Sequence, residues 1–392
     1  MIAQSSMDIV RPTPLLGGLS PARFMRRHWQ KKPLLIRAAV PDASAVVARA
    51  ELLGLAVRDD VESRLVRRDA DRWSLRQGPF PRRSLPSLKE REWTLLVQGA
   101  DLHLERAHRL LRRFRFVPDA RLDDLMFSFA TDGGGVGPHV DSYDVFLLQV
   151  QGHRRWRIGR VRSPVLRSDV PLKLLADFAP TEEWLLDPGD MLYLPPGWGH
   201  DGVAEGEAIT ASIGFRSAGV RTLGVDVLQH LLDAFETPER EARYADPAQA
   251  ASAEPGRIPE ALQRFAEASV ARLLADRHAL AQALGEGLSE PKPGVWFEPG
   301  IAIAEQPALG VQAGVCLDRR TRMLYDEHHV FINGESYRAS GRDARLVRRL
   351  ADRRMLSASD VAALSQGARE LVERWQASGW LHAEAGLEKE ED

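Results

Sequence analysis

The chain has 392 residues, more than one hydrophobic core usually covers, so two or three domains are expected. Apolar residues make up 44% and charged residues 28%, an ordinary globular composition, and the net charge of −2 supplies no global field that would select nucleic acid or a membrane. The single cysteine, Cys316, excludes an internal disulfide framework and a cysteine zinc site, and no stretch is apolar enough to span a bilayer, so a cytoplasmic protein is expected.

Residues 21–37, PARFMRRHWQKKPLLIR, read as a short basic helix with an extended exit at Lys32-Pro33. Apolar residues recur at helical spacing over 43–57 and again over 101–113, the second stretch being rich in arginine. The middle of the chain changes character. Short β-rich runs occupy 125–131, 144–150, 154–159, 182–187, 190–195 and 208–215. Turn signals divide them, among them DGGGVGP (132–138), QGHR (151–154), DPGD (187–190) and PPGWGH (195–200). Such spacing predicts a sandwich or barrel. Helical periodicity returns at 225–235 and 258–288, joined by a polar connection over 237–256. Strand-like pieces follow at 294–299 and 328–334, then helices at 343–352 and 359–378. The acidic end, 383–392, is expected to be disordered.

The tract GPHVDSYDVF (137–146) carries the chemistry. His139 and Asp141 lie two apart, so in an extended segment both side chains share one face and reach one ion. His200, at the end of LYLPPGWGH, is the candidate third ligand. Two imidazoles and one carboxylate leave coordination positions open, which suits non-haem iron(II) that must also bind a cosubstrate and O2. A chain of this composition holds about one His-x-Asp by chance, so the weight rests on the glycine-rich loop before the pair and the strand and turn before His200. The competing reading makes these histidines polar loop residues of an inert barrel. Asp144, His153, His328 and His329 stand in less favourable frames and are left out of the metal set.

In RRWRIG (154–159) alternation puts Arg154, Trp156 and Ile158 on the inward face. A buried arginine needs an anionic partner. A dicarboxylate cosubstrate that chelates the metal at one end would offer its far carboxylate to such a guanidinium. A structural pair with a protein carboxylate is the alternative. Thr210 and Ser212, on one face of the last core strand, are further candidates for cosubstrate contacts.

These segments resemble the JmjC-type bacterial ribosomal oxygenases. FMRRHWQKKPLLIR, WTLLVQG (93–99), GPHVDSYDVFLLQVQGHRRWRIG (137–159) and LDPGDMLYLPPGWGHDGVA (186–204) carry the resemblance, which covers most of residues 15–216 and continues beyond with lower specificity. It implies an α+β protein with a double-stranded β-helix (JmjC, cupin) core under a helical cover. It implies an oxygenase domain over 1–218, a helical dimerisation region over 219–290 and a winged-helix-like domain over 291–382. It places iron on His139, Asp141 and His200, and the far carboxylate of 2-oxoglutarate on Arg154. The implied reaction hydroxylates an arginine of the sixteenth protein of the large ribosomal subunit, with Fe(II), 2-oxoglutarate and O2, in a homodimer.

Charge offers a hint about the substrate. No Lys or Arg occurs over 174–215, yet eight acids do: Asp177, Glu182, Glu183, Asp187, Asp190, Asp201, Glu205 and Glu207. An acidic rim near His200 would attract a basic ribosomal-protein segment; a solvated acidic loop is the plainer reading. Arg106, Arg109, Arg112, Arg113 and Arg115 form a basic helix whose face is expected to be solvated, and catalysis is not expected to need direct nucleic-acid binding. Two other functions fit the pattern: N-methyl-lysine demethylation, separable by formaldehyde release, and a non-catalytic regulatory metal-binding cupin without 2-oxoglutarate turnover.

Overall fold

The computed structural model describes residues 8–233, 242–299, 314–338 and 340–383. The first helix, α1 (Pro21–Arg27), opens with Pro at its first position and the Ser20 hydroxyl accepting from the Arg23 amide. Strand β1 (Leu34–Ile36), helix α2 (Arg49–Leu55) and strands β2 (Ser63–Asp69), β3 (Arg72–Gln77) and β4 (Trp93–Val97) precede helix α3 (Glu105–Arg112). Strands β5 (Leu122–Ala130), β6 (His139–Val140), β7 (Val145–Arg160), β8 (Glu182–Leu186), β9 (Met191–Leu194) and β10 (Trp198–Phe215) complete a ten-stranded antiparallel sheet. Its main order is β1-β9-β7-β10-β5-β4-β2-β3, with β6 on β10 and β8 on β7.

Two long strands organise this sheet, the core of a double-stranded β-helix. The first half of β7 pairs with β9 and the end of β10; its second half pairs with β8 and the start of β10. The sequence divided β7 at QGHR, and here the structure differs. Gly152 sits at φ +64°, where a Cβ would lie 1.9 Å from the Glu207 carbonyl oxygen. The register of β10 against β7 slips between Glu205 and Ile209. The glycine is therefore a bulge that bends a continuous strand rather than a turn between two strands.

A large core of Phe24, Phe114, Phe127, Phe146, Tyr193 and Ile213 lies between the sheet and the helical cover. A second cluster, Val145, Leu147, Trp156, Ile158, Leu186 and Leu192, fills the interior of the β-helix around the site.

Beyond the sheet come α4 (Val220–Asp233), α5 (Glu260–Leu274) and α6 (Arg277–Ser289). The expected continuous helical stretch over 258–288 breaks at Asp276, whose carboxylate accepts from the His278 and Ala279 amides and starts α6. The C-terminal domain contains β11 (Val315–Leu317), β12 (Met323–Tyr325), β13 (His329–Ile332), β14 (Glu335–Arg338), α7 (Gly341–Arg353), β15 (Met355–Leu356), α8 (Ala358–Ala362), α9 (Gln366–Ala377) and β16 (Leu381–Ala383). Residues 294–299, expected as a strand, form none. The acidic end past residue 383 lies outside the described residues. Among the described residues no helix is long and apolar enough to cross a membrane.

Arg106 and Arg109 are exposed on α3, but the end of the basic stretch is not left to solvent. Arg112 Nη2 donates to the Arg353 carbonyl (3.2 Å), and Arg115 donates to the carbonyls of Asp352 (2.6 Å) and Ala351 (2.9 Å). These arginines cap the end of α7, where unpaired carbonyls carry partial negative charge. The stretch read as a solvated surface is solvated at its start and becomes a joint between the two domains at its end.

Candidate metal and cosubstrate site

Backbone pairing brings the three sequence-predicted ligands together. His139 on β6 is the Cα partner of His200 on β10. Asp141 follows β6 directly, and its carbonyl accepts from the Gly197 amide (3.2 Å). Ligand atoms of His139, Asp141 and His200 all lie within 4.8 Å of one another. His200 Nε2 is 3.6 Å from Asp141 Oδ2, and the two imidazole centroids are 4.2 Å apart.

Each imidazole is held through its other nitrogen. His139 Nδ1 bonds the Gly137 carbonyl (2.9 Å) and His200 Nδ1 bonds the Trp198 carbonyl (3.1 Å). A carbonyl only accepts, so Nδ1 carries the proton and Nε2 keeps its lone pair. Gly137 makes the first contact possible: at φ +76° it turns under Trp73 and Leu174, and a Cβ would lie 2.9 Å from Leu174. His200 is almost fully buried, and burial pushes its pKa down to about 4, with His139 adding to the shift and Asp141 opposing it. A neutral imidazole is the ligating form.

The triplet opens into a cavity of about 550 Å3. Arg154 lines the same cavity at 3% exposure, on the inward face expected from alternation. Its Nε and Nη2 are buried without a hydrogen-bond partner, and its guanidinium lies 5.8 Å from the Trp156 ring centroid. Burial lowers its pKa to about 10, and Asp201 offsets only part of that. Asp201 is itself ion-paired to Arg157 on the outer face. The structural carboxylate pair considered for Arg154 is therefore not made among the described residues.

The two hydroxyl candidates part company. Ser212 lines the cavity. Thr210 does not; it lies one pleat deeper, and its Oγ1 donates to Gln149 Oε1 (3.0 Å). Asp144 is buried in the core, accepting from the Tyr193 hydroxyl (2.6 Å) and Gln30 Nε2 (3.1 Å). His153 pairs with Asp187, while His328 and His329 sit far along the chain beside Asp326 in the C-terminal domain.

The acidic run over 174–215 does not rim the cavity. Asp190 pairs with Arg37, Glu183 and Glu205 with Arg155, and Glu207 with Arg49. Arginines from other parts of the chain neutralise these four acids. The cavity instead takes Asp123 and Asp124 from β5, together with Tyr143. Tyr143 continues the alternation of His139 and Asp141, a signal legible in the sequence.

Residues 109–223 match the JmjC domain family, and residues 272–382 match the ROXA-like winged helix. The ribosomal protein uL16 3-hydroxylase of Escherichia coli is 36% identical over 291 residues, spanning 72% of this chain and 74% of that protein. The chain belongs to the JmjC-type ribosomal oxygenases. The crystal structure of the oxygenase YcfD from E. coli superposes with a TM-score of 0.81 at 31% identity, covering 92% of this chain and 97% of that one. A second YcfD structure, in complex with cobalt and 2-oxoglutarate, gives 0.78 at 29% identity over 93% and 98% of the two chains. Within this oxygenase the winged-helix match begins at residue 272, inside the helical region expected as a connector.

Proposed function

We propose that the chain is an iron(II)- and 2-oxoglutarate-dependent oxygenase that hydroxylates an arginine side chain of the large-subunit ribosomal protein uL16. The observation that carries this reading is one cavity shared by a His-Asp-His triplet and a buried guanidinium without a partner. The donor set suits iron(II), because two neutral imidazoles and a carboxylate leave positions for further ligands. The orphaned Arg154 nitrogens suit the far carboxylate of 2-oxoglutarate, since a planar fork binds carboxylate through two hydrogen bonds. YcfD has been solved in complex with cobalt and 2-oxoglutarate, which supports a metal and this cosubstrate here. When bound, iron and 2-oxoglutarate reduce O2, yielding succinate, CO2 and hydroxylated substrate.

The protein's own groups bind, orient and exclude water. The Gly137 and Trp198 carbonyls hold both imidazoles with Nε2 toward the metal position. Trp156, packed 5.8 Å from the His200 ring centroid, shields the ligand from solvent. Ser212 is proposed as a polar contact to the cosubstrate; the Thr210 hydroxyl is committed to Gln149 instead. At the mouth, Tyr143 offers an aromatic face for a guanidinium, while Asp123 and Asp124 beside it are already paired with Lys292.

A homodimer completes the reading. No residue of α5 is buried, and Leu262, Phe265, Val270, Leu273 and Leu274 are exposed along it. Val225, Leu228 and Leu232 are exposed on α4. Such apolar surface on neighbouring helices calls for a partner. A ribosomal substrate sets the expected location as the cytoplasm.

The test is intact-mass analysis after aerobic incubation with Fe(II), 2-oxoglutarate and a basic uL16 peptide. A gain of one oxygen atom, absent with Asp141→Ala, is expected. Succinate without peptide oxidation would reject the substrate alone; no succinate with any peptide would reject the oxygenase. Formaldehyde from a methylated peptide would replace hydroxylation by demethylation.

A further inference from the structure

A second cavity, of about 90 Å3, lies where α3 meets the winged-helix domain. That exceeds the roughly 10–15 Å3 a single water needs on the same measure. The lining is dense in cations. Arg112 comes from α3, Arg319 and Arg322 from the β11–β12 turn, and Arg354 from the end of α7, with the neutral His108 of α3 beside them.

These cations hold carbonyls, not carboxylates. Arg354 Nη2 donates to the carbonyls of Asp318 (2.6 Å) and Thr321 (3.1 Å). Arg319 Nε donates to the Leu102 carbonyl (2.9 Å) and Arg112 Nη2 to that of Arg353 (3.2 Å). Arg322 Nη2 reaches the Leu122 carbonyl at 3.5 Å, while its Nη1 is buried with no partner. His108 Nδ1 is likewise buried and unpartnered, in a side chain 8% exposed.

The acids nearby are occupied. Asp119 accepts three hydrogen bonds from Arg115. Asp123 pairs with Lys292 at 3.1 Å, and Asp318 with Arg320 and His382 at 2.8 Å each. Asp101 accepts the Leu125 amide, and burial together with Asp124 raises its pKa to about 7. Burial and the like charge of Arg115 lower the Arg354 pKa to about 10, the mark of a cation without sufficient counter-charge.

Clustered, desolvated guanidiniums that lack carboxylates are stable only with an anion among them. We infer that this junction cavity binds one small inorganic oxyanion, of the phosphate or sulfate class, through Arg112, Arg319, Arg322 and Arg354. The anion ties the JmjC core to the winged helix, since its ligands come from both. The inference stands apart from the oxygenase reading, because neither iron nor 2-oxoglutarate is involved.

The experiment uses the full chain without iron or 2-oxoglutarate. Sodium phosphate or sulfate is titrated against sodium chloride at constant ionic strength, with thermal unfolding and calorimetry as readouts. A saturable rise in melting temperature and one site per chain are expected. Arg319→Gln and Arg322→Gln, both partly exposed and away from the catalytic cavity, should each weaken binding about tenfold or more, the loss of one charge-assisted hydrogen bond. Peptide hydroxylation by these variants should be unchanged. No saturable response to either oxyanion would overturn the inference, as would an equal response to chloride. A short oligoribonucleotide tests the other source of phosphate: a melting-temperature rise with the oligonucleotide and none with free phosphate would overturn a small-anion site.

Discussion

Arg154 is a charge placed where the ligand-free protein gains little from it. Its buried nitrogens lack partners, and Trp156 offers only a ring face. Replacing a buried unpaired cation with an apolar side chain of similar length removes a desolvation cost. Arg154→Met is therefore expected to melt at a higher temperature than the parent when both are free of 2-oxoglutarate. The same change should raise the 2-oxoglutarate KM about 100-fold, since removing one partner of a buried charge pair costs about 2–5 kcal/mol. Succinate release read against 2-oxoglutarate concentration, with metal affinity as the control, checks both halves. A lower melting temperature would mean that Arg154 already has a partner. Acid should act through other residues. Burial holds His103 down to about 4 and His108 well below its ordinary value, so both are neutral in the fold. The unfolded chain binds protons near pH 6.5 that the native state refuses. Stability from these groups is complete above about pH 6.5 and declines as the pH falls toward 4. Urea melts at successive pH values should show that slope, and His108→Gln should reduce it.

At the scale of elements, small residues decide which faces can meet. Gly285 lets α6 lie against β13; a Cβ there would sit 2.2 Å from the Phe331 ring, which is 2% exposed. Gly285→Ala is expected to cost about 1–3 kcal/mol by overpacking. Gly367, on α9, faces open space, so Gly367→Ala should be neutral or stabilise by up to about 1 kcal/mol. Denaturant melts of the two variants separate packing from backbone entropy, and equal effects would refute the contact. The same pair shows what a sequence can reveal. Period-two alternation is local, and it placed Arg154, Trp156 and Ile158 inward correctly. The His139 and Asp141 pairing is equally local. Gly152 read as a turn because a bulge and a turn use the same residue; only Glu207 on the facing strand distinguishes them. The acids of 174–215 appeared unopposed because their arginines, such as Arg37 and Arg49, lie far away in the chain. Long-range partners likewise turned the end of the arginine-rich stretch, Arg112 and Arg115, into a domain joint and took Thr210 away from the cavity.

At the scale of the whole molecule, α5 is the conspicuous imbalance. Residues inside a monomer's core bury their apolar side chains, yet Phe265 is 37% exposed and Val270 is 56% exposed on a helix with nothing buried. Tertiary packing of an apolar face is the usual source of helix stability, and here a second copy would supply it. An interface between copies related by twofold symmetry brings each patch against its own counterpart, so one substitution acts twice. Leu228→Lys with Phe265→Lys places like charges into that contact on both protomers. The pair is expected to convert a dimer to a monomer in size-exclusion chromatography with light scattering at micromolar concentration. The metal triplet rests on β6 and β10, apart from these helices, so iron binding by the monomer should persist. A parent chain already monomeric at the same concentration would remove the dimer, while leaving the catalytic reading intact. A double variant that stays dimeric would move the interface to another face.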